Sequence, residues 1–71
     1  MSVARVTEIS SSSEKSFQDA IAQGIARATE TLRNVRSAWI KEQEVQIRAK
    51  KISEYKVIMK ITFVLEDGEQ A

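Results

Sequence analysis

The chain has 71 residues, enough for one domain and close to the size at which a single core is marginal without staples or partners. It contains no cysteine and no histidine, which excludes disulfides, thiolate nucleophiles, imidazole bases, Ser-His-Asp triads and thiolate or imidazole zinc sites; any metal would be a hard, oxygen-ligated cation. Eleven basic residues against ten acidic ones leave a net charge of +1, too little for a nucleic-acid footprint, and neither a signal-peptide core nor a membrane-length apolar run is present, so a soluble cytoplasmic protein without a membrane partner is expected.

The first segment, 1–9, carries Val3, Val6 and Ile9 among polar residues and is predicted as a strand. A run of four serines, Ser10 to Ser13, comes next and stands directly before a helical pattern. Ser11 and Glu14 have capping-box spacing, and Ser13 is an equally good N-cap. From Glu14 to about Asn34, the residues Phe17, Ala20, Ile21, Gly24, Ala28, Leu32 and Val35 recur at three and four positions, with Ile25 beside them. This predicts an amphipathic helix of about 20 residues, roughly 30 Å long. Lys15 with Asp19 and Arg27 with Glu30 are solvated-face pairs. Gly24 in the helix interior implies a close approach of helix to sheet.

Residues 36–48 place Ala38 and Ile40 on one parity and Val45 and Ile47 on the other. The phase change predicts a bulge near Glu42 to Glu44 in a long strand. Ala49 to Lys51 is the expected hairpin turn, without the usual glycine or asparagine. In the last strand Tyr55, Val57, Met59, Ile61, Phe63 and Leu65 fall on every second position and form one apolar face. The other face, Lys56, Ile58, Lys60, Thr62 and Val64, becomes apolar toward its end, which is not how a strand facing only water is written. Residues 66–71 are expected to form a mobile tail of the single domain 1–71.

Strand, helix, strand, strand gives an α+β protein of β-α-β-β order. With the last strand between the other two, the three-stranded sheet is wholly antiparallel. Strands of about twelve residues reach roughly 40 Å, beyond the helix, so one sheet face with Ile58, Val64, Val45 and Ile47 is left for self-association.

The concentrated carboxylates are Glu42 with Glu44, and Glu66, Asp67 and Glu69. Solvation explains both groups, and neither has a calcium-loop pattern. No nucleophile-base pair is present, so no enzyme is expected. Trp39 shares parity with Ser37 and lies opposite Ala38 and Ile40, on the face turned away from the helix if those two are core. An indole there is a subunit contact or a stacking platform for a planar ligand.

The order of elements, with Val6-Thr7-Glu8-Ile9, Ser12-Ser13 to Ser16-Phe17, Ala20, Ala26-Arg27-Ala28, Thr31-Leu32-Arg33-Asn34-Val35, and Tyr55-Lys56-Val57 to Phe63-Val64-Leu65-Glu66, resembles the dodecin family over nearly the whole chain. The resemblance implies a curved antiparallel sheet wrapped on one long helix. It also implies a hollow homododecameric shell and, in many members, flavins stacked between tryptophans of neighbouring subunits and stored or buffered there. Position by position, the family's stacking tryptophan falls on Ser37 and its flavin-binding glutamine on Lys56. The resemblance therefore implies a small aromatic ligand, riboflavin or FMN with weakened affinity, near Ser37, Trp39, Gln46 and Lys56. The alternative it implies is a flavin-free shell holding calcium or magnesium.

Overall fold

The computed structural model describes residues 3–65. A first strand, β1 (Ala4–Ser13), leads into one helix, α1 (Phe17–Thr31), and then into a long hairpin of β2 (Val35–Arg48) and β3 (Lys51–Val64). The sheet order is β1-β3-β2 and both pairings are antiparallel. The last strand is therefore central, as its two-sided apolar pattern requires.

On its helix side, β3 presents Val57, Met59 and Ile61, each 0% exposed. Burying side chains of this size stabilises the fold by about 1.5 to 3 kcal/mol each. The small residues Ala20, Gly24 and Ala28, four apart, form the buried ridge of α1 and let its backbone lie close to the sheet. Phe17, Ile21, Ile25 and Leu32 flank that ridge, with Ile9, Val35, Ala38 and Ile40 contributed by the outer strands. A Cβ on Gly24 would overlap the Met59 methyl and come within 3.0 Å of Ser11 Cβ, so the missing side chain is what allows this approach.

The serine run is strand rather than cap. Ser11 pairs with Val57 and Ser13 with Tyr55, so β1 continues four residues past the predicted end. The N-cap is Ser16, whose Oγ accepts from the Asp19 amide at 2.9 Å, and the helix starts at Phe17. Ser13 is buried at the strand-to-helix corner, where its Oγ accepts from the Lys15 amide at 2.9 Å and donates to Asp19 Oδ2 at 2.6 Å. Gln23 donates to the same carboxylate oxygen at 2.6 Å. The Ser13 hydroxyl, then Gln23 and Lys15, hold the Asp19 carboxyl below its usual range against a smaller desolvation effect.

The helix also stops earlier than its apolar pattern suggests. Leu32 is the C-cap, its amide donating to Ala28 O at 2.8 Å, and Asn34 adopts φ 61° to turn the chain into β2. Fifteen residues make a helix of about 22 Å, against strands of fourteen residues and a long dimension of 53 Å. The edge-on contact of Phe17 with Tyr55, 5.1 Å between ring centroids, marks where the helix begins. Beyond it the hairpin projects alone, with Ile47 and Ile52 exposed at its end.

The predicted bulge lies one step earlier, between Ile40 and Glu42, with further register shifts between Val35 and Ser37 and between Gln46 and Ile47. The shift at Lys41 returns Val45 to the helix side opposite Tyr55, so it is not part of the open face. The two-residue turn is Ala49-Lys50, with φ of 54° and 67°, the left-handed pair that a two-residue hairpin favours. Residues 66–71, expected to form a mobile tail, lie outside the described residues, as do Met1 and the carboxylates Glu66, Asp67 and Glu69.

A candidate ligand-binding face

Opposed residues of an antiparallel pair point to the same side of the sheet. Because Ala38 pairs with Ile61 and Ile40 with Met59, both on the helix side, the intervening Trp39, opposite Lys60, points to the open side. Its indole is 65% exposed. Ser37, opposite Thr62, occupies the next row on that side, about 7 Å away. The Lys41 bulge reverses the parity of the remainder of β2 and brings Glu42, Glu44 and Gln46 to the same open side as Trp39.

All four residues expected at the site therefore share one face, yet one chain does not gather them into a pocket. Lys56 stands opposite Glu44, four residues along β3 from Lys60, or about 13 Å. Gln46 stands opposite Glu54, a further row away, and its amide donates to Glu44 Oε2 at 2.7 Å. Ser37 and Trp39 are neighbours, whereas Lys56 and Gln46 form a second, polar group toward the hairpin end. A flavin ring finds one flat apolar partner in Trp39 and none in Ser37, so a single chain fits that group only in part.

The residue missed in the sequence is Lys60. Its ammonium lies 5.2 Å from the Trp39 ring centroid, within cation-π range. Its register with Trp39 depends on where the bulges fall, and spacing along either strand alone could not show it. On the other side of Lys60 stands Glu8, whose carboxylate is engaged at 3.3 Å by Lys41, reaching across the central strand. Both partners of that pair are substantially exposed, so it contributes less than about 1 kcal/mol.

A groove of 590 Å³ runs between α1 and the β1 edge and is bordered by Ile9, Ser11, Gln23, Gly24, Arg27 and Glu30. None of the expected site residues lines it. A smaller groove of 230 Å³ between α1 and β2 includes Ser37 at its rim with Ile25, Thr29 and Arg36. Among the described residues no three acidic side chains are grouped as metal ligands would be, and no helix is long and apolar enough to cross a membrane.

The family model described as Dodecin matches residues 3–66. No curated protein is significantly similar to the chain. Among solved structures, the dodecin from Streptomyces davaonensis is 33% identical with a TM-score of 0.88, covering 93% of this chain and 97% of its own. An arginine-to-alanine variant of the Thermus thermophilus dodecin is 31% identical with a TM-score of 0.88, covering 94% and 100%. The calcium-chelating antigen calcium dodecin from Mycobacterium tuberculosis shares the fold at 23% identity, with a TM-score of 0.81 and coverage of 99% and 100%.

Proposed function

The chain belongs to the dodecin family, and from that premise we propose that it assembles into a closed homo-oligomeric shell, a homododecamer, that binds and buffers a small aromatic molecule. The observation that carries this reading is the open sheet face. Trp39 is 65% exposed there, and the central strand leaves Ile58, Thr62 and Val64 only half-buried beside it. A sheet face of this kind is completed by a second layer, and the described residues supply none on this side. A closed assembly of copies covers such a face without leaving a free edge to propagate.

In this reading the ligand is held where copies meet, by the face that carries Ser37, Trp39, Gln46 and Lys56. The separation of Ser37 and Trp39 from Lys56 and Gln46 along one chain supports a site completed by neighbouring copies. The role is binding, not catalysis: the chain has no histidine or cysteine to form a nucleophile-base pair. The setting that suits a flavin buffer is the cytoplasm.

The ligand is riboflavin or FMN at weakened affinity, since Ser37 supplies almost none of the flat apolar area that a stacked ring requires. An aromatic pair is worth about 0.5 to 1.5 kcal/mol beyond its buried area, and that contribution is absent at this position. Riboflavin titration with fluorescence quenching as the readout tests the reading. Weak binding by the natural sequence, strengthened in Ser37→Trp, is expected. Submicromolar binding unaffected by Trp39→Ala would place the pocket elsewhere.

The second reading is a flavin-free shell holding calcium or magnesium. It is favoured by Glu42 and Glu44, two exposed carboxylates on the same open face, which contacts between copies would bring toward further oxygen ligands. Calorimetric titration with calcium of the assembled protein, and of Glu42→Gln, separates this reading from the first.

A further inference from the structure

We propose that in the ligand-free assembly the Trp39 indole of each copy is seated over Ser37 of the partner subunit across a two-fold axis, so that the chain fills the space above that serine with its own side chain. The proposal rests on the assembly reading above and adds which residues meet and by what symmetry.

On the open face Trp39 and Ser37 stand in adjacent rows, opposite Lys60 and Thr62 of the central strand. A large side chain and a small one, about 7 Å apart, make a knob beside a hole. The indole is 65% exposed in one chain, although tryptophan is highly buried on average, and the Lys60 ammonium 5.2 Å from its centroid restricts its rotation. In a two-fold contact residue i meets j while j meets i, so a surface serves only if it is complementary to itself. An axis lying between two facing sheets, at right angles to β2 and midway between Ser37 and Trp39, exchanges the two rows. It lays each indole over the other copy's serine. Every layer then receives one large and one small residue, which suits sheets packed about 10 Å apart.

The other strands fit the same operation. Lys60 comes opposite the partner subunit's Thr62, whose hydroxyl can accept from the ammonium, and Glu8 comes opposite the partner's Val6, so neither charge meets its like. One row further out, Ile58 comes opposite the partner's Val64. Both are half-buried in one chain, and the contact covers apolar surface with apolar surface. An axis running along the central strand does the reverse. It stacks Lys60 on the partner's Lys60, bringing two ammoniums together, and sets Ser37 over the partner's Val6, which leaves the indole out of the hole.

The chain has one tryptophan, so its fluorescence reports this contact without any substitution. In the assembled protein, with no flavin added, emission should lie to the blue of that in denaturant and should resist quenching by iodide. A second readout comes from light scattering and thermal melting of four proteins: the natural chain, Ser37→Trp, Trp39→Ser and the double exchange. Ser37→Trp sets knob against knob and Trp39→Ser hole against hole, so each alone should lower the assembled mass and the thermal midpoint. The double exchange restores a knob facing a hole under the same axis and should recover most of both losses. An assembled natural protein whose indole is quenched as freely as in denaturant, or single losses that simply add in the double exchange, overturns the proposal and leaves the assembly reading in place. A natural protein that stays monomeric overturns both.

Discussion

The contact of Gly24 with Met59 allows a prediction whose sign is decided by two opposing magnitudes. Replacing Gly24 by alanine removes the helix-interior penalty of glycine, a gain of about 0.8 to 1 kcal/mol. The added methyl overlaps the Met59 methyl and meets Ser11 Cβ at 3.0 Å, in a core where Met59 is 0% exposed. Overpacking of a dense core costs about 1 to 3 kcal/mol, so Gly24→Ala should be destabilising by roughly 1 kcal/mol net. Met59→Leu, which shortens the chain at the point of overlap, should by itself cost less than about 1.5 kcal/mol. In the double variant the alanine methyl occupies the space the methionine methyl leaves, and the two changes should couple favourably by about 1 kcal/mol or more. Urea denaturation of the four proteins at one fixed protein concentration measures the cycle, because stability here includes assembly. Additive effects, or a stabilising Gly24→Ala in the natural background, would show that the helix does not lie against Met59 as described.

The same geometry yields three further outcomes. Ile21 flanks the buried ridge and is half-buried, so Ile21→Ala should cost about 2 kcal/mol, the low end of the range for core truncations, and a loss under about 0.5 kcal/mol in a variant that still assembles would put the apolar stripe on another face. Lys50 adopts φ 67°, a conformation costing a side-chain-bearing residue about 1 to 2 kcal/mol, so Lys50→Gly should raise the thermal midpoint and Lys50→Val should lower it; the reverse order in a melting series would exclude this turn. The Asp19 carboxyl is held below its usual range by Ser13 first and then by Gln23 and Lys15, so its stabilising effect is present above the unfolded carboxylate pKa and is lost as pH falls through the lower folded value. Asp19→Asn should therefore flatten the acid limb of stability against pH, and an unchanged limb would remove Asp19 from the corner.

The sequence showed most clearly what depends on period. Alternation along 55–65 marks the central strand and its core face, and recurrence at three and four positions marks the helix stripe, because both patterns are properties of single elements. The ends of elements were less legible because they depend on partners. Ser10 to Ser13 have low strand propensity and good capping chemistry, yet antiparallel pairing with residues 55–58 holds them extended, and the cap passes to Ser16. Asn34 looked like the helix's last residue but takes the left-handed turn after it. At the candidate site, the outward direction of Trp39 was readable from the parity of Ala38 and Ile40. Its pairing with Lys60 was not, since three register shifts along β2 decide which residues meet across the strands.

Closure of the open sheet face by copies of the same chain is read from the mass of the purified protein in solution. Light scattering across a size-exclusion peak at micromolar concentration should give about 96 kDa, the mass of a dodecamer of 8.0 kDa chains, with a charge introduced by Ile58→Glu lowering mass and thermal stability together. A monodisperse monomer or dimer under those conditions would contradict the claim.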